Sequence, residues 1–333
     1  MTTIRPSDSD VVARFARRHR LKPLEALPWL LIVVSFFLFP DYLALGAQIL
    51  ATTLFGLSVD LVLGYAGIVT LGHAAFYGVG AYTAGYLAAH GVGVPIVGMV
   101  AAMAMAGALG LISGAIILRA QGLSILMLTL VVCVMLQEAA NKMTSITGGA
   151  DGLQGMDVSP VLGLFHFDLY GKTAYWYAAA ALFIGWAVAR TLVHSPFGRS
   201  LTGIRENVAR MHAIGTPVFW RLLTIYAISA AMAGAAGALI AETTQLVALN
   251  SLSVDLSGLI LVMVIFGGVG RLYGAFVGVP LYMIAQDRFS EIDPTYWYFW
   301  IGLLLVIVVR FARGGILGLI DTLWQRVQRR RER

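Results

Sequence analysis

Ten apolar segments follow one another along this chain, and several are long enough to cross a lipid bilayer. They run over Leu27–Phe39, Leu43–Leu63, Leu71–Ala89, Val94–Leu118, Leu123–Ala140, Ala174–Val193, Val218–Ala241, Leu256–Gly270, Ala275–Ala285 and Tyr296–Val309. A helix needs about 20 apolar residues to cross a hydrocarbon layer of roughly 30 Å. Inside that layer each backbone amide and carbonyl must find a partner within the protein, which favours helices. The pattern predicts an all-α polytopic membrane protein with about 10 transmembrane helices (8–10).

The composition supports a membrane protein. Of the 333 residues, 59% are hydrophobic and only 12% are charged, as is typical of polytopic membrane proteins. The net charge of +6 does not indicate nucleic acid, because the charges lie at the ends of the apolar segments. The single cysteine, Cys133, lies inside an apolar run, which excludes an intramolecular disulfide and a cysteine metal cluster. We expect a lipid bilayer around the chain, no nucleic-acid partner and no metal site.

The distribution of Lys and Arg predicts the orientation, because cytoplasmic loops of membrane proteins are rich in both. With a cytoplasmic N-terminus and ten crossings, 20 of the 23 Lys and Arg residues lie inside. We therefore predict that both termini are cytoplasmic. Residues 1–26 form a basic cytoplasmic leader, either an interfacial amphipathic helix or a disordered tail; residues 27–314 form the transmembrane domain; and residues 315–333 form a basic cytoplasmic tail.

The longest polar segment between two apolar runs is His194–Gly215, on the predicted cytoplasmic side. The stretch Asn207–His212 is long enough for about a turn and a half of helix, which Gly215 and Pro217 then end. A short helix across the mouth of a membrane bundle is suited to receive a soluble partner. The alternative is an ordinary basic loop of the kind that the charge rule predicts.

Glycine residues break the apolar pattern in two places. Gly64–Tyr82 is too polar and glycine-rich for a simple lipid-facing helix, and Gly67–Tyr82 shares Gly, Ala, Phe, Gly, Val and Tyr in register with Gly267–Tyr282. Broken helices are tolerated in membranes only against protein or a water-filled path, and many transporters contain internal repeats. The pattern thus predicts glycine-rich broken helices, with either a true repeat or a chance match between glycine-rich stretches. A separate small-residue stretch, Ala230–Ala238, predicts close helix packing.

The candidates for a translocation path are polar or glycine residues at the first break and in the Met143–Met156 loop. They are Thr70, Gly72, His73, Thr147, Gly148, Gly149 and Asp151. For His73 the alternative is a hydrogen bond to a neighbouring helix. For the loop, an anion-binding nest is disfavoured because Asp151 would repel an anion, so an ordinary turn is the better interpretation.

Acidic residues in or near the apolar runs are functional candidates in a membrane protein. Glu138, Glu242 and Asp255 fall near the outer ends of their runs, where we expect water to be close. Asp60 alone sits well inside a run and is a weak candidate for a coupling-ion site. The sequence carries no HExxH, GxSxG or P-loop motif, so we expect neither hydrolytic catalysis nor ATP binding by this chain.

Several motifs together resemble one family, the permease subunits of branched-chain amino acid ABC importers, in particular the M-type permease. The motifs span roughly Leu43–Val309 and are Leu63–Gly67, Leu71–Phe76, Gly80–Thr83, Thr144-Ser145, Thr147–Leu153, Gly198-Arg199, Ile204–Asn207, Phe266–Gly268, Gly270 and Gly274. Two departures leave the solute open: Asp60 stands where relatives often carry Asn, and Met211-His212 replaces small residues.

The resemblance implies a multi-pass permease in a bacterial inner (plasma) membrane. Its implied partners are a second, paralogous permease, two cytoplasmic ATP-binding subunits and an extracytoplasmic solute-binding protein. ATP and Mg would be used by the ATP-binding subunits, with no cofactor on this chain and no enzymatic activity of its own. Residues 194–217 would be the cytoplasmic coupling segment, with the ATPase-coupling residues Arg199, Arg205, Glu206, Asn207 and Gly215.

The implied solute is a branched-chain or other hydrophobic amino acid. Urea, short amides and aromatic acids are alternatives within the same importer class. A secondary transporter or channel is the alternative from another class, and a non-transporting membrane subunit is a third. A secondary transporter needs an ion site within the membrane, whereas an ABC permease needs a docking surface, and the sequence offers the docking surface more clearly.

Overall fold

The computed structural model describes residues 23–161, 163, 165–168, 170–311 and 314–318. Residues 1–22 of the predicted leader and residues 319–333 of the predicted tail lie outside the described residues. The chain divides into two units, residues 1–41 and 42–333. In the first unit, the 3₁₀ turn Pro23–Ala26 leads into helix α1, Leu27–Leu38, all of whose side chains are at least partly exposed. An apolar helix with so much exposure is suited to a lipid environment.

The second unit is helical throughout its described residues, apart from the connecting loops and isolated bridges. Its helices are α2 Leu43–Asp60, α3 His73–Ala89, α4 Pro95–Ile117, α5 Leu123–Lys142, α6 Lys172–His194, α7 Pro196–Glu206, α8 Val208–Ala213, α9 Val218–Thr244, α10 Val254–Gly267, α11 Gly274–Ile292 and α12 Trp297–Phe311. Shorter turns are Pro40–Tyr42, the π-helical Leu61–Tyr65, Thr144–Thr147, Gly149–Asp151 and Leu249–Leu252. One bridge, Leu153 to Val247, joins the α5–α6 and α9–α10 loops.

Each of the ten predicted apolar segments coincides with a helix, which confirms the all-α class for the part of the chain described. Five stretches are long and apolar enough to cross a membrane: Pro40–Tyr65, Pro95–Ile117, Leu123–Lys142, Lys172–His194 and Val218–Thr244. Shorter apolar helices are Leu27–Leu38, Val254–Gly267 and Trp297–Val306. The number of crossings and the sidedness of the termini stay predictions.

Helix α9 lies at the centre of the second unit, packed between α3 and α4. From Ala230 to Glu242 nearly every residue is buried, including the small-residue stretch Ala230–Ala238. Because this stretch has small side chains, the helix backbones can approach closely. In a bilayer the hydrophobic effect does not drive helices together, so these van der Waals contacts stabilise the packing instead. The predicted packing role of this stretch is therefore confirmed.

Two glycines of α9 make this approach possible. A Cβ on Gly237 would overlap the carbonyl oxygen of Tyr77 on α3 and lie 2.9 Å from the backbone nitrogen of Ala81. A Cβ on Gly234 would lie 2.5 Å from the Cβ of Ala106 on α4. Neither contact can relax by turning a side chain, because the atoms that would be met are backbone or Cβ atoms.

We expect Gly237→Val to destabilise the bundle by about 1–3 kcal/mol or more, since overpacking forces α3 and α9 apart. The matched control is Gly258→Val on α10, where an added Cβ would meet nothing within 4 Å. The measurement is the thermal midpoint of detergent-purified protein, followed by size-exclusion chromatography. Equal midpoints for the two variants would contradict the packing of α3 against α9.

The α5–α6 loop and α8 are predicted to lie on opposite sides of the membrane. Gln154 and His212 are exposed in these two regions, whereas the native Cys133 is fully buried. A membrane-impermeant maleimide applied from outside should label Gln154→Cys in intact cells and label His212→Cys only after the membrane is opened. Wild-type protein is the control for Cys133. Labelling of His212→Cys in intact cells would overturn the predicted orientation.

Candidate functional site at two glycine breaks

The helices are interrupted at two similar places. After α2, the chain makes the π-helical turn Leu61–Tyr65 and an irregular stretch before α3 begins at His73; after α10, a second irregular stretch leads to α11 at Gly274. Gly67 (φ +75°) lies in the first break, and Gly268 and Gly270 (φ +124° and +73°) lie in the second. These backbone conformations favour glycine. The two matching sequence stretches thus adopt the same order of break and helix, which supports a structural repeat.

A backbone carbonyl at the first break accepts a hydrogen bond from a side chain of a helix distant in sequence. The guanidinium of Arg205, at the end of α7, donates to the carbonyl oxygen of Gly64. The stem of Arg205 crosses Gly67 so closely that a Cβ there would lie 2.7 Å from its Cγ. A π turn leaves carbonyls without their usual helical partners, and Arg205 supplies one such carbonyl with a cationic donor.

The two breaks are also joined to each other. The carboxylate oxygen Oδ1 of Asp60 accepts a 2.7 Å hydrogen bond from the backbone nitrogen of Gly270. Asp60 is 1% exposed, and the positive charge of Arg205 is close enough to interact with it. A Cβ on Gly64 would overlap Oδ1 of Asp60 and lie 2.6 Å from the Cα of Gly270. The backbones of the two breaks are therefore in direct contact.

The candidate path residues of the first break lie against α5. Thr70 is buried, and its hydroxyl accepts a 3.1 Å hydrogen bond from the backbone nitrogen of Gly72. The next contact is made by Leu71, whose backbone nitrogen donates to the hydroxyl of Thr129 at 3.2 Å. A Cβ on Gly72 would overlap the carbonyl oxygen of Thr129, so the close approach at Gly72 is made within this chain.

His73 connects three helices rather than facing solvent. It is 1% exposed, and its Nε2 lies 2.7 Å from the hydroxyl of Ser229 on α9. Ser229 in turn donates to the carbonyl oxygen of Ser58 on α2 at 2.5 Å. The adjacent backbone nitrogen of Ala74 donates to Ser257 on α10 at 2.9 Å. This geometry is that of the interhelical hydrogen bond offered as the alternative for His73.

The loop candidates lie elsewhere. Thr147, Gly148 and Gly149 follow the end of α5, about 20 Å of helix away from Thr129. The hydroxyl of Thr147 donates to the carbonyl oxygen of Ala140 at 2.5 Å and accepts a 3.3 Å hydrogen bond from the nitrogen of Gly149. Asp151 is exposed. These contacts describe a turn closed by its own side chain, and they do not bring it together with the first break.

The predicted coupling segment forms two short helices, α7 and α8. The hydroxyl of Ser195 caps α7 by accepting from Gly198 at 3.3 Å, and Asn207 caps α8 by accepting from Arg210 at 2.9 Å. Both are standard N-cap contacts. Gly215, at φ +79°, ends α8 where the chain turns toward α9. The helix predicted from Asn207 is thus present, and α7 was not foreseen, although Ser195-Pro196 is a helix-start signal.

One face of this segment is buried and the other is exposed. Leu201 and Ile204 on α7 are 2% and 1% exposed. Four of the ATPase-coupling candidates lie on α7 or directly after it, and all four are exposed: Arg199, Arg205, Glu206 and Asn207. An amphipathic helix held by its apolar face and open on its polar face has the form of a docking surface.

The placement of Glu242 corrects an expectation. Instead of lying near water at the end of its run, Glu242 is 3% exposed and accepts a 2.9 Å hydrogen bond from the hydroxyl of Tyr177 on α6. The reason is that Tyr177 on α6 and Gly98 on α4 lie against the side of α9 that carries Glu242. Glu138 and Asp255 are exposed as expected, and Glu138 lies 3.4 Å from Lys142. Within the described residues, no three His, Cys, Asp or Glu side chains are grouped as a metal site would require.

Comparisons with known proteins agree on one family. A family profile described as "Branched-chain amino acid transport system / permease component" matches residues 42–309. The "High-affinity branched-chain amino acid transport system permease protein LivM" of Escherichia coli (strain K12) is 25% identical over 283 residues, which is 79% of this chain and 66% of that protein. Its namesake from Salmonella typhimurium has the same identity and coverage.

A more distant organism provides a third relative. The "Probable branched-chain amino acid transport permease protein LivM" of Methanocaldococcus jannaschii is 25% identical over 236 residues, which is 65% of this chain and 67% of that protein. The chain spans about two thirds of the length of the curated relatives it matches. No solved structure matches it. With most of its length matched by the family profile, the chain belongs to the permease components of branched-chain amino acid transport systems.

Proposed function

We propose that this chain is the membrane permease subunit of an ABC importer for a branched-chain or other hydrophobic amino acid. The family match over residues 42–309 carries the proposal. An extracytoplasmic binding protein would deliver the solute, two cytoplasmic ATPases would drive its movement, and a second permease would complete the pathway. The names of these relatives, which describe branched-chain amino acid transport, support an amino acid as the solute.

The form of the α7–α8 segment supports the ATP-driven interpretation. An importer of this type needs an element that contacts both the ATPase and the transmembrane helices, because the two sites are coupled only through an element that both can bias. The segment exposes Glu206 and Asn207 while burying Leu201 and Ile204. Arg205 also connects it to the first glycine break. ATP and Mg would bind the partner subunits, since this chain carries no P-loop.

Two buried acids, Asp60 and Glu242, each make one hydrogen bond within the protein. Asp60 accepts a hydrogen bond from Gly270, and Glu242 accepts one from Tyr177. Buried polar groups generally need such partners, and each contact satisfies one oxygen of its acid. The second oxygens, Oδ2 of Asp60 and Oε1 of Glu242, are buried without a hydrogen-bond partner among the described residues.

The solute is tested by uptake into proteoliposomes that contain the assembled complex and its binding protein. Radiolabelled leucine should accumulate only with ATP inside, and excess isoleucine or valine should compete. Urea, acetamide and benzoate are the competitor arms for the alternative solutes. Leucine uptake driven by a proton or sodium gradient without ATP would contradict the proposal.

Two substitutions test the docking role of the segment. We expect Glu206→Lys and Gly215→Val to reduce leucine uptake and solute-stimulated ATP hydrolysis, because the first reverses an exposed interface charge and the second strains a backbone at φ +79°. The cost of the charge reversal is about 2–5 kcal/mol if Glu206 pairs with a buried partner in the interface, and near zero if Glu206 lies at the rim. Uptake and hydrolysis are measured in the same proteoliposomes.

The matched control is Glu138→Lys, which reverses an exposed acid at the end of α5. It should transport normally. Normal uptake by both Glu206→Lys and Gly215→Val would show that the segment is only a basic loop.

A further inference from the structure

A buried carboxylate inside a transmembrane segment is costly and needs an explanation. Asp60 is 1% exposed at the end of α2, and one of its oxygens accepts from the backbone nitrogen of Gly270. Removing a carboxylate from water is expensive unless opposite charge and hydrogen bonds replace its hydration. The backbone nitrogen of Gly270 bonds Oδ1, and the charge of Arg205 is near enough to interact with the group. The other oxygen, Oδ2, has no hydrogen-bond partner among the described residues. Both contacts come from elements far away in the sequence.

These contacts join three parts of the chain at one point. Asp60 ends α2 just before the first break, and Gly270 lies in the second break. Arg205 lies in the coupling segment and donates to the carbonyl oxygen of Gly64 in the first break. The absence of a side chain at Gly64 allows the breaks to touch, since a Cβ there would lie 2.6 Å from the Cα of Gly270. A Cβ at Gly270 would in turn lie 3.1 Å from the guanidinium nitrogen of Arg205.

The position of Arg205 makes its contact sensitive to movement of α7. Leu201 and Ile204 hold the same helix against the bundle, while Glu206 projects from it. A displacement of α7 by a bound partner would move the guanidinium relative to Gly64 and Asp60. Packed elements of this kind respond by switching between discrete arrangements rather than by gradual deformation.

We propose that Asp60 and Arg205 act as a positioning pair that transmits displacement of the α7–α8 segment to both glycine breaks. Arg205 holds the first break through Gly64, and Asp60 holds the second through Gly270. Separation of the breaks therefore requires that the bond between Asp60 and Gly270 opens. The inference rests on the proposed function, because it assigns the route by which ATP hydrolysis reaches the membrane helices.

The test uses the complete complex with its binding protein in proteoliposomes. Asp60→Ala removes both the charge and the acceptor, whereas Asp60→Asn keeps an oxygen for Gly270. We expect Asp60→Ala to lower leucine uptake and solute stimulation of ATP hydrolysis by about tenfold, within the range typical of coupling between sites. Hydrolysis without solute should persist. Asp60→Asn should restore a substantial part of the stimulation.

The matched control is Thr53→Val on the same helix. Thr53 is also 1% exposed, but among the described residues its hydroxyl bonds only the carbonyl of Ile49 within α2. It should keep wild-type uptake and stimulation. A merely structural role for Asp60 would lower the amount of assembled complex without changing the ratio of stimulated to unstimulated hydrolysis, and that result would overturn the proposal.

A double-mutant cycle decides the question if Asp60→Ala does not assemble. Asp60→Asn, Arg205→Lys and the double variant are compared by the same stimulation ratio. The proposal expects the double variant to lose about as much as the more severe single variant, since linked residues are not additive. If the loss in the double variant equals the product of the two single losses, the residues act independently and the proposal is overturned. If Asp60→Ala has normal uptake and stimulation while Glu206→Lys is defective, this inference is rejected and the docking proposal still holds.

Discussion

The structure depends on one constraint: backbone groups freed by a broken helix need partners inside the protein. In the described part of the chain, glycine breaks follow α2 and α10, and several of the freed groups are bonded by side chains. Arg205 bonds the carbonyl of Gly64, and Asp60 bonds the nitrogen of Gly270. The hydroxyls of Thr70 and Thr129 accept hydrogen bonds from the backbone nitrogens of Gly72 and Leu71, respectively. Each break is therefore both a weak point in a helix and a place where distant segments meet.

The rest of the bundle holds these breaks in position. Helix α9 packs through small residues against α3 and α4, and its Ser229 bonds His73 at the start of α3. Close backbone contact leaves little freedom at this side of the break. The side that faces α7 is held by polar contacts, which a bound partner would change in the proposed coupling role. That proposed role needs this contrast between rigid packing and a few bonds that can switch.

Local patterns predicted the elements, and long-range contacts escaped prediction. The ten apolar helices, all except α7 and α8, follow from runs of apolar residues, and the end of α8 follows from Gly215. These signals lie within a few residues of the structure that they specify. The bonds of Asp60 and Arg205 join residues 210 and 141 positions apart, and no local pattern encodes them. Glu242 was misplaced for the same reason, since its burial depends on Tyr177 from another helix.

The most direct measurement is an experimental structure of the solute-free complex in a lipid nanodisc, at a resolution that shows side chains. We predict that the Arg205 guanidinium lies within hydrogen-bond distance, about 3 Å, of the Gly64 carbonyl. We also predict that the Asp60 carboxylate contacts the Gly270 nitrogen. A map in which Arg205 points away from Gly64 and the two breaks are separated would contradict the account.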